Sequence, residues 1–322
     1  MIFRKLLSAL ALSLLALSGA HAADYPDRPV TLVVPFPAGG SSDTVARALG
    51  QKLQGYLGQS FVVENRAGAA GTIAAAQVKR APADGYTLLV SPLGPFVIAP
   101  HLLKSVQYDP AKDFDLLTVA VQSPNVLVVH PSSPFQNVAD LVGHLKKNPG
   151  RYAFASGGNG TSDHLTAELF WRQTGTSGLH VPYKGGTPAI SDVIAGQVDS
   201  SFQNINAVIK HIQAGKLKAL AMTGSQRSSL LPRVPTLAEA GVKNVVVYSW
   251  QAVAAPRGLP VDVKARLHQG LMAALRDPTV KQQMTDLGFE IVANTPAQFT
   301  AYQAEEFARW KTVIDDARIT AE

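Results

Sequence analysis

Short β-branched runs alternate with stretches of helical periodicity along almost the whole chain, and this alternation limits the available folds more than any other feature. Val30–Val34 is an apolar run of strand length. Val45, Ala48, Leu49 and Leu53 then recur at helical spacing until Gly58. Phe61–Val63, Tyr86–Val90, Val126–Val129 and Ala153–Ala155 read as strands, and Thr72–Arg80 and Val138–Lys147 as helices. Later helices carry start signals. Thr187 precedes Pro188, with a stop at Gly196; Asn206–Gln213 ends before Gly215; Thr236 and Glu239 form a capping box; Thr295-Pro296 opens a helix through Trp310. Such alternation predicts an α/β fold with mainly parallel sheets. A chain of 322 residues is long enough for about two domains.

Two strand-to-helix turns are built alike. "VPFPAGGSSDTVARAL" runs from Val34 to Leu49, and "SGGNGTSDHLTAELFW" from Ser156 to Trp171. The first turns of a helix leave backbone N–H groups without partners, and the macrodipole adds partial positive charge there. Pro37, Ala38, Gly39 and Gly40 bring the backbone to the first helix mouth, and Ser41 and Ser42 add hydroxyls before Asp43. Gly157, Gly158 and Gly160 do the same at the second, where Ser156, Asn159, Thr161 and Ser162 add side-chain donors before Asp163 and His164. Each mouth can seat an anion without a lysine or arginine in the turn. Ordinary capping by Ser42 or Asp43, and by Ser162 or Asp163, also fits either turn alone. The pair together points to a cleft at the carboxyl ends of the strands, where open α/β sheets bind ligands. Neither turn is a nucleotide motif: the third glycine of the dinucleotide fingerprint and the G-x-x-x-x-G-K-[ST] pattern are both missing.

The N-terminus has the form of a secretory signal peptide. Arg4 and Lys5 precede an apolar run from Leu6 to Leu17, and Ala20-His21-Ala22 supplies the small-residue site. The run is shorter than the roughly 20 residues of a membrane span. Cleavage after Ala22 is expected to release an exported chain, with its formal charge lowered from +6 to +4. No basic run or aromatic–basic interleaving suggests nucleic acid as a partner. The chain has no cysteine. That excludes disulfides, thiolate metal sites and cysteine nucleophiles.

Ser162, Asp163 and His164 are the letters of a hydrolase triad, but consecutive residues at one helix start do not face each other. A G-x-S-x-G elbow is absent. His164 and Glu168 have the i, i+4 spacing of a metal pair, although a first-turn helix contact explains them better. We therefore expect no catalytic residues, no metal and no cofactor.

Six stretches, in order across the mature chain, are similar to the Bug-type solute receptors, the periplasmic binding proteins of tripartite tricarboxylate transporters. They are "YPDRPVTLVVPFPAGGSSD", "VVENRAGAAGTIAA", "ADGYTLL", "YAFASGGNGTSDHLTAELF", "VPYKGGTPAISDVIAGQVD" and "AGKLKALAMTGSQRSSLLPRVPTLAEAG". The resemblance implies a two-lobed periplasmic binding protein of type II topology. Residues 1–22 would be the leader, 23–122 with 249–322 the first lobe, and 123–248 the second. Crossovers near Val121–Pro124 and Val247–Gln251 would form the hinge. The family binds organic carboxylates, gripping one carboxylate between loops that match Pro37–Asp43 and Ser156–His164 here. The implied protein is a monomer in the periplasm. Its partners would be a small organic carboxylate and membrane transporter subunits, or a signalling protein if the trap is a sensor. An exported hydrolase is the alternative from another class.

Several further residues follow from that reading. Tyr183, Gly185 and Gly186 form a third strand-to-helix turn, and Ser91 opens a fourth rim loop. Arg66 is assigned to supporting the cleft floor, with an ion pair to Glu64 as its alternative. Trp250 is placed near the cleft; Trp171 and Trp310 are read as helix packing. Many family members carry aspartate directly after the phenylalanine of "VDSSFQNIN", where this chain has Gln203. Gln203 is neutral, so an acid without an amino group, such as a di- or aromatic carboxylic acid, is expected to bind, unless Asp199 supplies the missing charge.

Overall fold

A computed structural model describes residues 25–320. The expected leader and its cleavage site lie outside the described residues. The chain runs β1 (Val30–Val34), α1 (Ser41–Leu57), β2 (Phe61–Asn65), α2 (Thr72–Lys79) and β3 (Thr87–Pro92). A π-turn, Gly94–Ile98, leads through one helical turn, Ala99–Leu102, to the long β4 (Phe114–Val129). There follow α3 (Val138–Lys147), β5 (Ala153–Ser156), α4 (Ser162–Thr174), β6 (Leu179–Pro182), α5 (Gly186–Ile194), β7 (Ser200–Asn204), α6 (Ile205–Gln213) and β8 (Lys218–Met222). The return consists of β9 (Tyr248–Pro256), α7 (Val261–Arg276), α8 (Pro278–Asp286), β10 (Glu290–Ile291) and α9 (Pro296–Asp316).

The strand order is β2-β1-β3-β9-β4-β7-β5-β6, with β8 and β10 also paired to β4. β4 belongs to both lobes. Its first part pairs antiparallel with β9, from Phe114 opposite Pro256 to Pro124 opposite Tyr248. Its last part pairs antiparallel with β7 and β8, from Asn125 onward. Only Gln122 of its sixteen residues is not buried, although Asp115, Thr118, Ser123 and Asn125 interrupt its apolar pattern. Parallel pairing holds for β1–β3 and for β5–β7, as the alternation predicts. It fails at the centre, because β9 is the strand that brings the chain back and must run opposite to both β3 and β4.

Two core clusters serve one lobe each, around Leu32, Leu49 and Leu267 in the first and Ile190, Val193 and Val208 in the second. A third spans both. It joins Phe96, Trp250, Phe299 and Trp310 to Phe154, Phe170 and Phe202, so α9 is packed across the two sheets. Trp250 is therefore a core residue. It is 0% exposed and lies against Phe96, Phe299 and Tyr302, which corrects its expected place in the cleft.

Local start signals are partly corrected too. α9 opens with the Thr295–Gln298 capping box. The Thr236–Glu239 box also forms, with Thr236 N donating to Glu239 at 2.8 Å and Glu239 N to Thr236 Oγ1 at 3.1 Å, but it closes a turn and not a helix. α5 starts at Gly186 with Gly185 as its cap at φ +114°, so Thr187 lies inside the first turn.

Candidate functional site

The turn after β1 carries the chain from Pro35 to the mouth of α1. Residues 37–40 are exposed, and Gly39 takes φ +83°, the conformation that favours glycine. Gly40 is the N-cap at φ −79° and ψ 174°, an extended geometry open to other residues. No side chain caps this helix. Asp43, in the first turn and 4% exposed, points back into the loop. Its Oδ2 accepts from Gly39 N and Arg47 Nε, both at 2.9 Å, and its Oδ1 from Asn65 Nδ2 at 3.0 Å. The Arg47 guanidinium holds the Asp43 carboxyl below its usual range, against the opposing effect of burial. Ser42 Oγ donates to Gln251 Oε1 of β9 at 2.7 Å.

The turn after β5 repeats the plan in a different environment. Gly158 and Gly160 take φ +129° and +73° before the N-cap Thr161, and again no side chain caps α4. Asp163 Oδ2 accepts from Gly157 N at 2.6 Å and from Gln203 Nε2 at 3.2 Å. Burial pushes the Asp163 carboxyl up, opposed by the Thr161 hydroxyl and the N–H groups of Gly157, Asp163 and His164. His164 Nδ1 accepts from Gly160 N at 3.1 Å, which leaves its proton on Nε2, 3.5 Å from Glu168 Oε1. Its ring stacks on His180 with 3.6 Å between centroids. His180 Nε2 meets Ser156 Oγ at 2.6 Å. Desolvation, and secondarily His164, lower His180 to about 4, so His180 is neutral near pH 7.

Each mouth touches the opposite lobe. Asn206 Nδ2 of α6 donates to Ser41 Oγ at 2.9 Å. Ile98 and Leu102 of the first lobe approach Gly160 so closely that a Cβ there would stand 2.1 Å from Leu102 Cδ1. Residues 45–319 match the family model for the tripartite tricarboxylate transporter family receptor. The chain belongs to the tripartite tricarboxylate transporter receptor family.

Curated relatives of this receptor include BugT of Bordetella pertussis, 38% identical over 90% of this chain and 89% of BugT. A protein encoded between tcbD and tcbE in a Pseudomonas species is 37% identical, over 99% of this chain and 95% of that one. Among solved structures, R. palustris Rpa4515 with adipate superposes with TM-score 0.82 at 36% identity, covering 92% of this receptor and 99% of that chain. The periplasmic binding protein BugD gives TM-score 0.79 at 36% identity, over 92% and 100%. MatC from Rhodopseudomonas palustris with bound malate gives 0.78 at 32%, over 90% and 100%. The fold is that of a two-lobed periplasmic binding protein, and this chain is a receptor and not an enzyme. No helix among the described residues is long and apolar enough to cross a membrane. No group of three metal-ligating residues stands together among the described residues.

The other residues singled out from the receptor's sequence fall at varied places. Gln203 is buried at the C-terminal end of β7, beside Asp163, and its Oε1 lies 3.0 Å from where a Cβ on Gly186 would stand. The third turn flanks the second mouth: Gly185 N donates to Gly157 O at 3.0 Å. Tyr183, however, gives its hydroxyl to Asp192 at 2.6 Å. Ser91 is 0% exposed, and its hydroxyl donates to Pro92 O. Asp199 is corrected. It lies at the opposite end of β7 and accepts from Ala153 N at 2.7 Å, away from both mouths. Arg66 is corrected as well: it is exposed and ion-paired with Glu64. Sequence reasoning missed Gln251, Asn206, Asn65, Arg47 and His180. A separation of 209 residues joins Ser42 to Gln251, and 165 join Ser41 to Asn206. Local pattern carries no signal for such pairs.

Proposed function

We propose that this receptor captures a small organic carboxylate between its two helix mouths, in the periplasm, and delivers it to the membrane subunits of a tripartite transporter. The observation that carries the reading is the pair of helices without side-chain caps, one from each lobe, each with a residue of its mouth against the opposite lobe, Ser41 at Asn206 and Gly160 at Leu102. Backbone N–H groups and the hydroxyls of Ser41 and Ser162 would meet the carboxylate, Ser156 and Thr161 would brace the second turn through their bonds to His180 and Gly158, and Pro37, Ala38, Gly39, Gly40, Gly158, Asn159 and Gly160 would let the backbone reach it. Asp43, Asp163 and His164 would hold the turns in shape from behind. The first mouth has the more open donors, because Asp163 draws on N–H groups of the second. Neutral donors favour release to a partner, since charge-assisted forks bind more strongly. Malate bound by MatC and adipate bound by Rpa4515 support a carboxylate ligand.

In this reading, cleavage after Ala22 releases the mature protein. Residues 23–122 with 249–322 form the first lobe and 123–248 the second. Gln122, Ser123 and Pro124, paired with Trp250, Ser249 and Tyr248, form the hinge. A thermal-shift screen tests the proposal. Organic acids should stabilise the protein, by about 2.7 kcal/mol at 100 times the dissociation constant. Their methyl esters and amides should not. An equal response to acid and amide removes the helix-mouth mechanism.

A further inference from the structure

Along a strip beside the two mouths, the amide nitrogens of Asn125, Asn206 and Gln203 are spent, while acceptors stay unpaired. Asn125 and Asn204 stand opposite each other at the end of the β4–β7 pairing, and Asn206 follows in the first turn of α6. Asn125 is 0% exposed. Its Nδ2 donates to Thr166 Oγ1 at 2.9 Å and reaches Ser162 O at 3.4 Å. Thr166 gives its own proton to Ser162 O at 2.6 Å, so its oxygen can only accept from Asn125. The Asn125 amide is thereby fixed, with nitrogen toward the second mouth. Asn206 turns its nitrogen to Ser41 at the first mouth. Gln203 likewise uses its nitrogen on Asp163 and Ser201. The Oδ1 atoms of Asn125, Asn204 and Asn206 are all buried without a hydrogen-bond partner. Buried acceptors of this kind are rare and call for a donor.

We propose that this strip recognises a hydroxyl carried close to the ligand's carboxylate, so that the receptor prefers 2- or 3-hydroxycarboxylic acids over their unsubstituted counterparts. The inference rests on the carboxylate reading above. The position of the hydroxyl follows from the contacts of the strip, which end on Ser41 and Ser162, the first residues of the two helices. The oxygens are uncharged, and this favours a hydroxyl over an ammonium. An ammonium there needs a countercharge, while Asp43 is already neutralised by Arg47 and Asp163 is filled by Gly157 and Gln203. A second carboxylate against the strip would face three carbonyl dipoles of the wrong sign.

Calorimetry on the full chain with matched acids tests the idea. The sets are propionate, lactate and alanine; succinate, malate and aspartate; and glutarate, 2-hydroxyglutarate and glutamate. In the set that fits the cleft, the hydroxy acid should bind about tenfold more tightly than the unsubstituted acid, the usual effect of satisfying one buried acceptor. It should also bind more tightly than the amino acid. In Asn206→Leu this ratio should fall toward one. Loss of the Ser41 bond alone would weaken both ligands equally and leave the ratio unchanged, which would count against the inference. Equal affinity for hydroxy and unsubstituted acids in the wild type, or tightest binding by the amino acid, overturns it and leaves the carboxylate reading standing. Amides that bind as well as the acids overturn both.

Discussion

The first and second helix mouths share a design and differ in everything around it. In each, an aspartate in the first helical turn reaches back to a glycine N–H in the preceding loop, Asp43 to Gly39 and Asp163 to Gly157. At the first mouth the loop is exposed, and the carboxylate has a solvated guanidinium beside it. At the second the carboxylate, buried like the first, has only neutral partners, and the next residue of the helix stacks on His180. Burial raises one pKa, and an arginine lowers the other. The repeated element is thus the backbone turn. The electrostatics come from the wall behind it, and the two mouths should respond differently to the same change.

The largest difference is expected on deleting the aspartates. Asp163→Ala leaves Gly157 N unpaired, takes from the Gln203 amide one of its two acceptors, and should cost about 3 kcal/mol in urea denaturation. Asp43→Ala, whose partners can turn to water, should cost about 1 kcal/mol. Equal losses would mean that the environments do not matter.

Glycine replacement should separate the mouths next. Gly160 has φ +73°, and a Cβ there would overlap Leu102, so Gly160→Ala should cost about 2 kcal/mol and weaken ligand binding. Gly40, at φ −79° with only Pro37 O at 3.4 Å, should accept alanine within about 0.5 kcal/mol. Gly40→Val should fold equally well but lose the ligand; retained affinity in that variant moves the site away from the first mouth.

Acid titration sharpens the contrast further. Folding lowers His180 from 6.5 to about 4, so the unfolded chain binds the extra proton between those values. Stability contributed by His180 is therefore complete above pH 6.5 and falls as pH drops toward 4, by at most about 1.4 kcal/mol per pH unit. His101, also held down by burial, adds in the same direction. The decisive quantity is the difference between wild type and His180→Asn, which should vanish if His180 is not neutral when folded. Asp43 acts lower: its contribution is present above 3.8 and lost as pH falls below it. Asp163 has the opposite sign, with stability present below 3.8 and lost as pH rises through its raised pKa.

The smallest effect belongs to Arg47→Gln. The side chain is 56% exposed, and the urea midpoint should not move measurably. A clear loss would show that the first mouth depends on its cation after all.

Much of this contrast was hidden in the sequence, for a physical reason. Strand, turn and helix are local, so Val30–Val34, the glycine turns, α3 and the Thr295 start were legible from spacing and capping chemistry. The surroundings are assembled from afar. His180 arrives on β6 and Gln251 on β9, and no short window contains them with Ser156 or Ser42. Trp250 lies beside the crossover in sequence yet packs into the core, because alternate residues of a strand face opposite sides. Asp199 and Gln203 lie four residues apart in sequence, but they stand at opposite ends of β7.

The place of β9 between β3 and β4 also fixes an order of assembly. Until residues 248–256 are available, β3 and β4 each present an unpaired edge, and both are almost wholly buried in the finished fold. The first sheet is begun by the first hundred residues and completed only after the second has been traversed. The chain thus passes through a stage in which a finished second lobe hangs from a half-built first one, with open edges of the kind that pair between molecules. A chain cut short before Tyr248 is therefore expected to aggregate, however sound its second lobe.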